Sequence, residues 1–100
     1  MKPYKVDHKK WNSFSKDLQL KHIAAELSRA TQAALHNEEE WTRGAYERAI
    51  SMIDVSLDDP HRKDRHMLYQ LRDAVAAMYI GKTDPAISNF IYSQILMRYN

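Results

Sequence analysis

The sequence predicts an all-α fold, an antiparallel four-helix bundle with an extended N-terminal arm, on three observations. Only two glycines and three prolines occur in 100 residues, so the many tight turns of a β-sandwich or barrel have few places to sit. Apolar residues recur at spacings of three and four in successive stretches, the period of a single buried helix face. Residues that stop or start helices punctuate those stretches at Asn37, Pro60, Gly81 and Pro85. A hydrophobic fraction of 44% suffices for a packed core, and this length has room for one core, so residues 1–100 read as a single helical domain.

Residues 1–12, with Pro3 and scattered lysines around Tyr4 and Val6, follow neither a helical nor a strand period and are expected to form the arm. Trp11 is its anchor, because an indole gains more from burial than from exposure. Ser13 or Ser15 then caps a first helix over about 15–36, whose inward face carries Leu20, Ile23, Leu27, Ala30 and Ala34. Asn37 followed by Glu40 has the spacing of a capping box and starts a second helix over about 38–58. So short a connection makes the two helices antiparallel neighbours.

The second helix presents Tyr46, Ala49, Ile50, Ile53 and Leu57, with Trp41 and Ala45 extending the same face toward its start. Pro60 ends it by lacking a backbone donor and by disfavouring helical geometry in the residue before it. Leu68, Leu71, Val75 and Met78 define a third helix over about 64–80, which Gly81 stops. Asp84 as a cap and Pro85 in the first turn open a fourth over about 85–98, carrying Ile87, Phe90, Ile91, Ile95 and Met97.

Composition excludes several functions. The absence of cysteine removes a disulfide scaffold, a thiolate zinc site and a cysteine nucleophile together. No apolar run approaches the roughly 20 residues of a membrane span, and no signal-peptide core follows the N-terminus, so the expected setting is the cytoplasm, with no membrane partner. The formal net charge of +2 does not by itself call for a polyanion. Its distribution is uneven: five lysines and one aspartate make residues 1–16 +4, whereas seven acids and two arginines make residues 37–59 −5.

No motif assigns a reaction, and no catalytic, cofactor-binding or metal-binding residue is expected. The richest cluster of hard ligands is Asp58, Asp59, His61, Asp64 and His66 between two helices; it lacks a helical histidine pair and reads as a solvated loop, with ion binding left open. Glu26 and Asp54 fall in mid-helix beside apolar positions, at the edge of a core face. Arg62, Lys63, Arg65 and Arg72, with the N-terminal lysines, form a candidate polyanion patch, without a recognition helix or an aromatic RNA-binding strand to support it. Tyr79, Phe90, Tyr92, Arg98 and Tyr99 cannot all face one narrow core seam and form a candidate interface, because aromatics with arginine have hot-spot composition. The expected partner is accordingly another protein or a second copy of the chain, and the expected function that of a non-enzymatic, self-associating interaction module.

Three resemblances bear on this reading. Arg29 followed by His36 resembles the arginine and histidine of the HEPN ribonucleases, which are helical bundles, although Ala30 replaces the polar residue that follows the arginine there. That resemblance implies the alternative function, a nucleic-acid-acting helical protein. Trp11, then Glu26, Leu27, Arg29 and Ala30, then Tyr46, Glu47, Arg48 and Ala49, then Asp59 and Pro60 resemble an uncharacterised family of small all-helical bacterial proteins, which implies a helical fold and no reaction. Ala49 and Pro60 also resemble the second half of a tetratricopeptide-like hairpin, without the first half or a second copy.

Overall fold

The computed structural model describes residues 5–81 and the pair 93–94. Four helices follow one another: α1 (His8–Ser13), α2 (Lys16–Leu35), α3 (Glu39–Leu57) and α4 (Arg65–Tyr79). The architecture is all-helical, and the three long helices lie within two residues of the first three expected ones. Of the expected helix 85–98, only 93–94 fall among the described residues, and these two are helical.

The arm is not extended throughout. Asp7 accepts a hydrogen bond from the Lys10 backbone N–H (3.2 Å) and so caps a short helix. That turn swings Trp11 inward, where it is buried and its indole N–H donates to Ser56 Oγ of α3 at 2.9 Å. Ser15 is the cap of α2, accepting from the Leu18 N–H at 3.1 Å, while Ser13 closes α1 by donating to the Lys10 carbonyl.

Asn37 does not begin α3; it ends α2. Its φ of 58° lies in the left-handed region, which asparagine tolerates better than most residues. With it there, the Asn37 N–H reaches the Ala34 carbonyl (3.1 Å) and the Glu38 N–H reaches that of Ala33 (2.9 Å), the paired bonds of a Schellman stop. Helix α3 then starts at Glu39 with no side-chain cap. Gly81 acts as expected, at φ 76° with its N–H on the Met78 carbonyl.

Helix α3 is the element against which the other three pack. Its buried residues Ala45, Tyr46, Ala49, Met52, Ile53, Val55 and Ser56 sweep about half the helix circumference, wider than a surface helix needs. Facing α2, small residues on both sides (Ala30, Ala33, Ala45, Ala49) let the two backbones approach closely, and Ile23 and Leu27 fill the space beyond. Toward α4, Asp54 meets Arg72 and Glu47 meets Tyr79: seven steps back along α3 correspond to seven forward along α4, so the pair is antiparallel. Met67, Leu68, Leu71, Val75 and Met78 form the buried face of α4.

A buried polar chain ties the elements together at the end where α1 sits. Trp11 donates to Ser56, the Trp11 carbonyl accepts from Gln19 Nε2 (2.9 Å), and Gln19 Oε1 accepts from Arg62. Arg62 in turn grips Asp64 through two bonds of 2.5 and 3.0 Å. Among the described residues, no helix is long and apolar enough to cross a membrane.

Candidate functional site

The opposite end of the bundle, around the turn from α2 to α3, leaves apolar surface uncovered. Leu35 on the last turn of α2 is 63% exposed, and Trp41 on the first turn of α3 is 69% exposed. Trp41 was expected on the core face with Ala45. It instead stands in the first turn of α3, on one strip with Arg48 seven residues on, and there it borders a groove rather than the core.

That groove, of about 370 Å³, runs between α2 and α3 and is lined by Arg29, Gln32 and His36 on one side and by Trp41 and Arg48 on the other. Beneath it lies Glu26, whose side chain is 8% exposed. Its two oxygens accept from Arg29 (2.6 Å) and from Arg48 Nε (2.7 Å), so one sunken carboxylate positions two guanidinium groups at the rim. Arg29 is 63% exposed and keeps most of its surface for other contacts, whereas Arg48 lies flatter at 30%. His36 Nδ1 is 2.8 Å from the Gln32 carbonyl, an oxygen that can only accept, so Nδ1 carries the proton of that bond.

Gly44 belongs to the same arrangement. A glycine in mid-helix costs about 1 kcal/mol relative to alanine. Here a Cβ would stand 3.3 Å from Arg48 Nη1, closer than side chains ordinarily pack, so its absence makes room for the guanidinium beside the helix. Acids flank the groove: Glu38 lines it, and Glu40, one residue before Trp41, is exposed about 100° around the helix.

The residues of the expected polyanion patch have separate surroundings. The Arg62 side chain is 3% exposed and is held by Asp64 and Gln19, so its charge is internal. Arg65 donates to the carbonyls of Leu57 and Asp59 and lies 5.7 Å from the centre of the Tyr69 ring, closing the end of α3. Arg72 pairs with Asp54, whose hydrogen bond and charge raise the guanidinium further above its ordinary pKa. Lys63 is exposed. Other exposed cations lie on α1 and the start of α2, at Lys9, Lys10, Lys16 and Lys21.

Among the described residues, no three histidines, aspartates or glutamates gather where they could share a metal ion. In the Asp58 to His66 loop, Asp59 accepts from the His61 backbone N–H and Asp64 is bound to Arg62. Of the candidate aromatic interface, Tyr79 is partly exposed and donates to Glu47 at 2.8 Å, a bond that raises its phenol pKa. Phe90, Tyr92, Arg98 and Tyr99 lie outside the described residues. Arg29 and His36 both line the α2 wall of the groove, Arg29 bound to Glu26 and His36 to the Gln32 carbonyl.

No protein-family model matches the chain, and neither a curated protein nor a solved structure is similar enough to carry an argument. The site therefore rests on its own geometry. Sequence reasoning missed Trp41, Arg48 and Gly44 as a group; the available signal was the mid-helix glycine, an unfavourable choice three residues after a tryptophan and four before an arginine.

Proposed function

We propose that the chain is a non-enzymatic helical interaction module that associates with itself. The observation that carries this is the exposure of two large apolar side chains, Leu35 and Trp41, on either side of the turn from α2 to α3. Burying each is worth about 1.5 to 3 kcal/mol. Single exposed apolar residues are ordinary, whereas two on the helix turns that flank one connection, the tryptophan bordering a groove, have the character of a contact surface. Tryptophan with arginine is also the pairing most enriched at interface hot spots, and a two-fold dimer is the commonest closed assembly. A cytoplasmic setting is part of the same reading, because a cysteine-free chain makes no use of an oxidising compartment.

Sedimentation velocity over a wide concentration range tests it. The weight-average mass should rise from that of the 11.8 kDa chain toward double. A mass that stays at the single-chain value refutes self-association.

A second reading, a nucleic-acid-acting protein akin to the HEPN ribonucleases, is favoured by one observation: Arg29 and His36 line the same groove. It requires cleavage of RNA that is lost in His36→Ala. An inactive wild-type protein, or an active variant, eliminates it.

A further inference from the structure

The groove surface carries both signs of charge, arranged around an apolar centre. On the α2 side of Trp41 stands Arg29, well exposed and anchored by Glu26; on the far side, around α3, stands Glu40. A two-fold axis lying in the contact plane, between the indole and the groove, exchanges those two sides. It brings a base opposite an acid twice over, which is what an isologous contact needs.

Other occupants fit less well. Glu38 lines the groove, and the sunken Glu26 accepts from both Arg29 and Arg48, so the two guanidinium groups are offset by two carboxylates and the groove lacks the positive excess with which polyanion binding displaces counterions. A partner segment of a single sign would set like charges together on one flank. A second copy meets both flanks and covers the indole.

We infer that two copies of this chain meet about a two-fold axis over the α2–α3 groove, Trp41 of each closing the groove of the other and Arg29 of each facing Glu40 of its partner. This rests on the self-association reading and adds the surface, the symmetry and the ion pairs. The sunken Glu26 has a defined part in it: by holding Nη1 of the Arg29 guanidinium it orients that group before contact, which lowers the entropy lost on association.

The test is a charge swap followed by sedimentation equilibrium, with helicity monitored by circular dichroism. Trp41→Ala should weaken dimerisation on the order of 30-fold, a hot-spot loss, while leaving the exposed site's fold intact. Arg29→Glu and Glu40→Arg should each weaken it, because each places like charges together twice. The double variant Arg29→Glu with Glu40→Arg should recover most of the wild-type affinity, since the isologous contact restores both pairs. Recovery also separates the intermolecular pair from the bond between Arg29 and Glu26, which the second substitution cannot repair. A dimer indifferent to Trp41→Ala, or a double variant no better than the worse single, overturns this inference and leaves self-association standing. A chain that is monomeric throughout overturns both, and quenching of its Trp41 emission by an oligouridine would assign the groove to nucleic acid instead.

Discussion

Replacing Gln19 by methionine, a side chain of similar length without polar atoms, cuts the buried chain that runs from Ser56 through Trp11 and Gln19 to Arg62. Two groups lose a partner. The Trp11 carbonyl loses the Gln19 amide but keeps the Phe14 N–H at 3.1 Å, so its loss is that of one ordinary hydrogen bond, about 1 kcal/mol. Arg62 loses the acceptor of Nη1 while its other nitrogens remain on Asp64; a buried charged donor left unmet costs about 1 to 3 kcal/mol. The sum, about 2 to 4 kcal/mol, is a large part of the 5 to 15 kcal/mol typical of a domain. Urea unfolding followed by circular dichroism measures it, with the denaturant slope expected to stay constant because the folded surface is unchanged. A double-mutant cycle with Arg62→Met should show coupling above about 0.5 kcal/mol, since both residues act through one network. A loss below about 0.5 kcal/mol at constant slope, or strict additivity, would refute the network as a structural tie.

Two further outcomes follow from the core. Ala49→Leu, at a fully buried position where α2 and α3 approach closely, should lower stability by about 1 to 3 kcal/mol in thermal or urea melts; a neutral substitution would mean the small-residue seam does not set the helix spacing. Burial raises the pKa of the Tyr46 phenol above its ordinary 10.0, so above that pH the unfolded chain releases a proton that the folded chain retains. Stability should be fully present below pH 10 and fall as pH rises toward the folded-state pKa, and Tyr46→Phe should flatten that decline. An unchanged alkaline slope in the phenylalanine variant would place the titration elsewhere.

What could be read in advance, and what could not, divides along physical lines. Periodicity located Leu20, Ile23, Leu27, Ile53, Leu71 and Val75 in the core because burial acts on every third or fourth residue of a regular helix. It failed at helix ends. Asn37 followed by Glu40 satisfies the spacing of a capping box, yet the same asparagine also suits a left-handed stop, and only the carbonyls of Ala33 and Ala34 needing donors decide between them. It failed again at Trp41, which has the angle of the buried stripe but stands in the first turn of α3, since a stripe of apolar letters does not say where along the helix its cover ends. The arginines show the limit most sharply. Arg29, Arg62, Arg65 and Arg72 are alike in a one-dimensional count of charge, but each acquires a separate role from what lies across from it: a sunken glutamate, a buried glutamine, two helix-end carbonyls and a half-exposed aspartate. Among these four, only Arg29 is both anchored and largely exposed, so the proposed contact surface turns on Glu26, a buried acid that sequence alone left at the edge of the core.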